Sequence, residues 1–254
     1  MANRTTLAFE LDDQTFQIEV KSLARARRLT LRVDPGLGQP RVVKPPHVSL
    51  ADVRTFLKRN HGWLRQRLAK LPPAIPFMDG AEIPVRGIPH QLCHRPETRG
   101  TVWYDDQGHA PGQTPKLCIA GESAHLSRRL EDWLKKQARQ DIHARVHHHA
   151  AKIAPIPGRI TLRDTRSRWG SCAANGNLSF SWRLILAPEN VLDYVVAHEV
   201  AHLVEHNHSA RFWRLTARLC PEFETARQWL HRHGNHLHRY GHRPLRPTDR
   251  ASLS

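Results

Sequence analysis

The segment HEVAHLVEHNHS, residues 198–209, carries four histidines and two glutamates in twelve positions. Apolar residues over 191–203 recur at helical spacing and predict a helix there. Imidazoles four residues apart project from the same helix face, so His198 and His202 can bind one ion. Glu199 lies close enough to hold a water on that ion without being a ligand. This H-E-x-x-H arrangement is typical of zinc hydrolases in which the glutamate is the general base.

A catalytic zinc needs a third protein ligand and one open position for water. His208 is the candidate, but on a continuous helix it would lie about 9 Å beyond His202, at about 1.5 Å per residue. The helix must therefore end and the chain must bend back. Asn207 tolerates left-handed backbone, and Ser209 can cap the helix that follows.

Other residues compete for these roles. Glu222 and Glu224, in CPEFE, lie at a sequence distance typical of zincins that use a carboxylate as third ligand. We favour His208 and expect His206 to lie near the substrate or behind the ligands. The sequence thus predicts one zinc ion per chain, bound by His198, His202 and His208.

Zinc held by three neutral imidazoles keeps its full charge, acidifies a bound water and polarises the scissile carbonyl. Glu199 would take the water's proton and pass it to the leaving amine. The group that stabilises the oxyanion stays open among four residues of suitable type: Arg166, Arg168, Tyr194 and His206.

The apolar residues Leu178, Phe180, Trp182, Leu184 and Leu186 occupy alternate positions after an Asn-Gly turn signal. The pattern predicts a strand leading into the metal-binding helix. Two interpretations stay open for this strand. It can form the edge of a cleft and pair with an extended peptide, or it can be a plain core strand.

The rest of the chain predicts an α+β fold with a β-rich N-terminal part. Paired strands over 16–20 and 29–33 precede an amphipathic helix over 50–71, and the proline-rich residues 72–80 form a candidate linker. Short strands follow, then a long helix from about 127 to 153. We expect four parts: a strand pair plus helix, a β-rich connecting part, a catalytic core and a disordered tail, over 1–72, 73–126, 127–240 and 241–254.

Composition sets further limits. The 254 residues are 39% hydrophobic, which predicts a folded protein, and no apolar run long enough to span a membrane occurs. The N-terminus lacks the pattern of a secretory signal, so we expect a cytoplasmic protein without a membrane partner. The four cysteines are far apart in sequence and predict free thiols. The net charge of +16 predicts nonspecific attraction to polyanions, including nucleic acid, at low salt.

The motifs RSRWGSC, LSFSWRLILAP and VVAHEVAHLVEHNHSARFW resemble the YgjP-like metallopeptidase family, formerly a domain of unknown function and related to SprT-like and M48-type zincins. The likeness covers roughly residues 15–240 and is densest over 160–215. It implies a zincin-like core, an active-site helix with a mixed or antiparallel sheet. It also implies His198, His202 and His208 as zinc ligands and Glu199 as the catalytic base.

The favoured function is therefore a zinc metallopeptidase acting on a peptide or protein. The alternative is a nucleic-acid-associated basic protein. It would be either a SprT-like protease acting on DNA-bound proteins or a zinc-binding scaffold without catalysis.

Overall fold

A computed structural model describes residues 4–12, 14–33, 38–70, 73–105, 113–165 and 167–241. The chain forms two compact units, which meet in sequence between Ala74 and Ile75. Both combine helices with small sheets, so the fold is α+β, as predicted. Of residues 241–254, predicted to be a disordered tail, Gly241 is described and donates its N–H to the Ile75 carbonyl at 2.8 Å, and residues 242–254 lie outside the described residues.

The first unit is a four-stranded sheet with two helices. Strands β1 and β2 form an antiparallel hairpin, β2 pairs in parallel with β4, and β4 pairs antiparallel with β3, giving the order β1-β2-β4-β3. Alternate strand residues such as Ile18 and Val42 are fully buried with Val53, Leu57 and Leu64 of the helices. The elements are β1 (Arg4–Leu11), β2 (Gln14–Ser22), β3 (Thr30–Val33), β4 (Pro40–Lys44), α1 (Leu50–Arg59) and α2 (His61–Ala69).

The helix predicted over 50–71 is two helices separated at Asn60. Ser49 and Asp52 form a capping box at the start of α1, as their spacing indicates. The Asn60 side chain donates to the Phe56 carbonyl at 2.8 Å and closes the last turn of α1. Asn60 thus ends one helix and precedes the next, a local event that apolar periodicity does not register.

The second unit begins with a sheet of the same topology. Strand β5 pairs antiparallel with β6, β6 pairs in parallel with β8, and β8 pairs antiparallel with β7. Of the segment predicted as a linker, Ile75 bridges Tyr240 and Phe77 is buried in the core of this unit. The strands are β5 (Glu82–Val85), β6 (Ile88–Arg95), β7 (Val102–Asp105) and β8 (Lys116–Ala120).

The long helix α3 runs over Ser123–Ala150, close to the predicted 127–153. Its buried stripe has the period of an α-helix, and α3 packs against the helix over Glu189–Ala201 and the Trp182–Leu186 segment before it. The stripe consists of Leu126, Leu130, Leu134, Ala138, Ile142 and Val146.

A three-stranded sheet follows, in the order β10-β11-β9, from strands β9 (Ile160–Arg163), β10 (Gly170–Cys172) and β11 (Leu178–Ser181). The strand predicted over 178–186 is wrong beyond Ser181, because Trp182–Leu186 form a 3-10 helix. All five residues of that turn are buried, including Arg183. The period of a strand does not continue here, because Arg183 and Ile185, which lie between the alternating apolar residues, are buried as well.

Three helices complete the second unit: α4 (Glu189–Ala201), α5 (Ala210–Leu219) and α6 (Phe223–Leu237). Pro188 precedes α4, where its fixed backbone angle is compatible with a helix start. None of the helices within the described ranges is long and apolar enough to cross a membrane.

Arg183 is buried because its charge is matched. Its guanidinium donates to both carboxylate oxygens of Asp164, at 2.7 and 3.1 Å, and to the carbonyls of Leu237 and Tyr240. The group therefore joins β9, the 3-10 helix and the end of α6.

We expect Asp164→Ala to lower the free energy of unfolding by about 2 kcal/mol, since it leaves a buried guanidinium without its charged acceptor. Urea denaturation measures the change. Asp132→Ala is the matched control, because Asp132 pairs with Arg128 on an exposed helix face and should cost less than about 0.5 kcal/mol. Equal effects of the two substitutions would contradict a structural role for the Arg183 pair.

Candidate metal centre

The end of α4 positions the first two histidines. His198 lies in the last turn of this helix, and His202 is its C-cap residue. The backbone then tightens: Leu203 donates to the Val200 carbonyl at 3.0 Å and Val204 to the Ala201 carbonyl at 3.1 Å. These three-residue spacings end the helix at Ala201, short of the predicted Leu203.

The bend between α4 and α5 uses side-chain acceptors. The Ser209 N–H donates to Asn207 Oδ1 at 3.2 Å, and Ser209 Oγ accepts the Phe212 N–H and caps α5. Asn207 does not have the left-handed backbone that the sequence suggested. Positive φ at described residues other than glycine occurs only at Asp12 and Arg86. Asn207 makes the bend through an Asx-type hydrogen bond instead.

This bend brings His198, His202 and His208 together. One ring nitrogen from each lies within 4.8 Å of the others. The ring centroids are 4.9 Å apart for His198 and His202, 5.0 Å for His198 and His208, and 4.8 Å for His202 and His208. Among the described residues these three form the single group of histidine, cysteine or acidic side chains spaced to hold a metal ion.

The donor set fits a zinc ion. The Nε2 atoms of His198 and His208 are 3.1 Å apart, and two nitrogens bound tetrahedrally at about 2.0–2.1 Å from one zinc would be separated by about 3.3 Å. His202 Nδ1 donates to the Glu205 carbonyl at 2.9 Å. That hydrogen bond puts the proton on Nδ1 and leaves the Nε2 lone pair free for a metal.

Phe212 supports all three rings, a contact that sequence reasoning missed. Its ring centroid lies 4.8 Å from that of His198, 4.5 Å from His202 and 4.8 Å from His208, and its side chain is fully buried. Trp213 adds a stacked contact with His208 at 5.7 Å. The aromatic pair at the start of α5 therefore restricts the rotamers of the imidazoles.

Burial favours the neutral form of His198 and of His202. It lowers the pKa of His198 to about 3, with further lowering from His202, His208 and Arg227 nearby. The pKa of His202 is also lowered, chiefly by burial, although its hydrogen bond to Glu205 opposes the shift. Neutral imidazole is the form that binds a metal ion, so the site is preorganised for a cation.

The Glu199 carboxyl is buried against β10. A Cβ atom at Gly170 would lie 2.5 Å from Glu199 Cγ and 2.6 Å from Oε1, so only glycine admits the side chain here. Burial raises the pKa of Glu199 to about 7, while the charge of Arg168 and a hydrogen bond from the Cys172 backbone oppose the shift. Gly170 in the WGSC motif is the sequence signal for this contact. The sequence alone does not show why glycine is required there, because the reason is the packing of β10 on α4.

The sheet order decides between the two interpretations of the strand over 178–181. Strand β11 has β10 on one side and β9 on the other, so it is a central strand and no edge. The edge strand next to Glu199 is β10.

The rival ligands lie elsewhere. Neither Glu222 nor Glu224 belongs to the three-histidine group, and Glu224 contacts Arg227 at 3.4 Å. His206 is exposed and also lies outside the group. Of the candidate oxyanion groups, Arg166 lies outside the described residues.

Comparison with known proteins identifies one family. The model of the YgjP-like metallopeptidase domain matches residues 27–233, more than three quarters of the chain. No curated protein and no solved structure matches this sequence.

The close approach of Gly170 and Glu199 generates a stability prediction. We expect Gly170→Ala to lower the free energy of unfolding by about 2 kcal/mol, because the added methyl overlaps the carboxylate side chain. Adding Glu199→Ala should recover at least about 1 kcal/mol of that loss, since the two residues are in contact. Urea denaturation of chelator-treated protein measures both variants without a contribution from metal binding.

Gly62→Ala is the matched control for this pair. A Cβ atom at Gly62 meets no atom within 4 Å, so alanine there should leave stability unchanged or raise it by up to about 1 kcal/mol. Additive effects of Gly170→Ala and Glu199→Ala would show that the contact does not constrain the carboxylate.

Proposed function

Because the chain belongs to the YgjP-like metallopeptidase family, we propose that it is a zinc-dependent peptidase with His198, His202 and His208 as metal ligands and Glu199 as general base. The observation that carries the proposal is the convergence of three imidazoles, with the buried carboxyl group of Glu199 next to His198 in the chain. Three protein ligands leave a tetrahedral position open, as catalytic zinc sites require.

A zinc ion in this site would supply Lewis-acid chemistry, polarising a peptide carbonyl and lowering the pKa of water to about 7. The chain's own contribution starts with orientation. Phe212 and the Glu205 carbonyl restrict the histidine rings, so ligand geometry does not have to be organised when the ion binds.

Glu199 would carry out the proton transfer. Its carboxylate would accept a proton from the attacking water and deliver it to the leaving amine. Contact with Gly170 and the hydrogen bond from the Cys172 backbone hold the carboxyl group against β10, and Glu199 does not belong to the three-histidine group.

The substrate is proposed to be an extended peptide segment lying along β10. This strand ends its sheet, and the backbone groups of an edge strand can pair with a peptide and add a strand. Such pairing would place the scissile bond near Glu199, which packs on Gly170 of the same strand.

We expect elemental analysis to find one zinc per chain in the wild type and in Glu199→Gln, and much less in His208→Ala. Casein and peptide-library cleavage should fall by about a thousandfold or more in Glu199→Gln, because proton transfer is lost while the ligands remain. Glu224→Gln is the matched control and should retain both zinc and cleavage. If His208→Ala retains zinc, the third ligand is a residue other than His208. If the wild-type protein binds no metal, the proposal is refuted.

Arg168 is our candidate for oxyanion stabilisation. It immediately precedes the Trp169–Gly170 segment, its side chain is exposed, and its charge acts on Glu199. Tyr194 is less suited, because it is buried and burial raises the pKa of its phenol to about 12. A guanidinium near the general base is a suitable donor to the oxygen of a bound peptide, because it is more weakly hydrated than an ammonium group and presents several N–H donors.

Arg168→Gln should lower kcat by about a hundredfold with a smaller change in KM, because the contact strengthens as negative charge develops in the transition state. Steady-state kinetics on a fluorogenic peptide separate the two constants. Arg163→Gln removes an exposed arginine from β9, at the opposite edge of the same sheet, and should change neither constant. If Arg168→Gln raises KM and leaves kcat intact, Arg168 binds substrate and does not stabilise the oxyanion.

A further inference from the structure

The first compact unit carries a large share of the positive charge. Residues 1–74 contain fourteen lysines and arginines against six aspartates and glutamates, within a chain of net charge +16. Some of these charges are matched locally. Arg41, for example, contacts Glu19 at 2.8 Å, and Arg4 contacts the same carboxylate.

Four arginines of this unit instead line one concave surface, which we call the arginine cavity. Its volume is about 650 Å³, and its lining includes Arg25, Arg27, Arg28 and Arg32. All four side chains are exposed. Across the described part of the chain, none of the four guanidinium groups has an ion pair. No acidic residue lines the cavity.

The backbone that carries these arginines is fixed. Between β2 and β3, the Leu23 N–H donates to the Lys44 carbonyl and the Ala26 N–H donates to the Leu23 carbonyl, both at 3.0 Å. Arg32 lies on β3, opposite Arg41 of β4. The arginines therefore lie on a hydrogen-bonded loop and a paired strand.

A second concavity, the tryptophan cavity, adjoins the first and shares Arg28 and Thr30 with it. Its volume is about 270 Å³, and Trp63, Phe56 and Asn60 form its helical side. Trp63 is 46% exposed, which is unusual for so large an apolar side chain. An indole face is thus available next to the arginines.

We propose that these two adjoining cavities bind single-stranded nucleic acid. The arginines would contact successive phosphates, and a base turned away from the backbone would stack on Trp63. A positive groove beside an exposed aromatic ring is the combination that recognises single strands, because every base has a π-face and every nucleotide a negative charge.

Other polyanions match these features less well. A bilayer is flat and is bound by apolar side chains that protrude, whereas Trp63 lines a concavity. A duplex keeps its bases stacked on one another and offers none to an indole. An acidic peptide would satisfy the arginines but would leave the aromatic surface without a matching group.

This inference is independent of the proposed peptidase activity. The surface lies entirely within residues 23–63, whereas the three histidines and Glu199 belong to the second unit. Binding should therefore persist in Glu199→Gln and in chelator-treated protein, and its failure would say nothing about zinc or cleavage.

The test is fluorescence anisotropy of full-length protein with a labelled thymidine oligonucleotide of about 15 nucleotides. Three variants probe the surface: the double substitution Arg27→Gln with Arg28→Gln, Trp63→Ala, and Trp63→Phe. The matched control is Arg65→Gln with Arg67→Gln, which removes the same charge from exposed positions of α2 that line neither cavity. Circular dichroism and thermal melting check that each variant is folded.

We expect the Arg27 and Arg28 double variant to reduce the dependence of log Kd on log salt by about 1.4, at about 0.7 per phosphate contact. Trp63→Ala should weaken binding about tenfold, and Trp63→Phe should retain most of the affinity because a ring remains to stack on. The control double variant should bind nearly as the wild type does.

Three outcomes would overturn the proposal. Equal weakening by the Arg65 and Arg67 double variant would mean diffuse attraction to net charge. Tighter binding to a duplex of the same length, or to vesicles of phosphatidylcholine and phosphatidylserine, would assign the surface to another partner. Equal competition by polyglutamate at matched charge concentration would remove any role for base stacking.

Discussion

Three imidazoles can converge on one point only if α4 ends well before His208, since a continuing helix would carry His208 away along the axis. The N–H groups of Leu203 and Val204 donate to carbonyls only three residues earlier, which ends α4. The side chains of Asn207 and Ser209 then accept the hydrogen bonds that form the bend and cap α5. The new helix then returns Phe212 beneath all three rings. The same residue that packs α5 into the core thus supports the candidate metal ligands.

Helix α4 must itself be held in place for this arrangement to persist. Asp193 accepts a hydrogen bond from His149 Nε2 at 2.8 Å, which joins the end of α3 to the middle of α4. Burial would raise the pKa of Asp193, but the His149 hydrogen bond and nearby positive charge outweigh it and lower the pKa. The carboxylate is therefore charged in the folded protein. On the other side, β10 contacts α4 through Gly170 and Glu199, so the helix carrying the site is constrained from two directions.

The two four-stranded sheets share strand order and direction, β1-β2-β4-β3 and β5-β6-β8-β7, although the sequence shows no internal repeat. Each is followed by a helix, yet their surfaces differ. In the first unit, the edge strand β3 carries Arg32 into the arginine cavity. In the second, β7 and β8 pack against α3. One topology therefore presents a charged surface in one unit and contributes to the main core in the other.

Much of the candidate site followed from local patterns. The i, i+4 spacing of His198 and His202, the need for a bend before His208 and the cap at Ser209 are all properties of short segments, and short-range geometry determines them. The α+β class and the long helix α3 followed for the same reason, since apolar periodicity reports which face is buried. The break at Asn60 and the 3-10 turn at Trp182–Leu186 did not follow, because a side-chain hydrogen bond and a buried ion pair override that periodicity.

Tertiary structure determined which distant segments lie next to one another, and the spacing of residues in the sequence does not contain this information. It excluded Glu222 and Glu224 from the three-histidine group, made β11 a central strand, and brought Gly170 against Glu199. It also gathered arginines from a loop and a strand beside Trp63 of a helix. Each of these contacts joins residues from different elements. Their proximity depends on how helices and sheets pack, and a single sequence records the residues but not the packing.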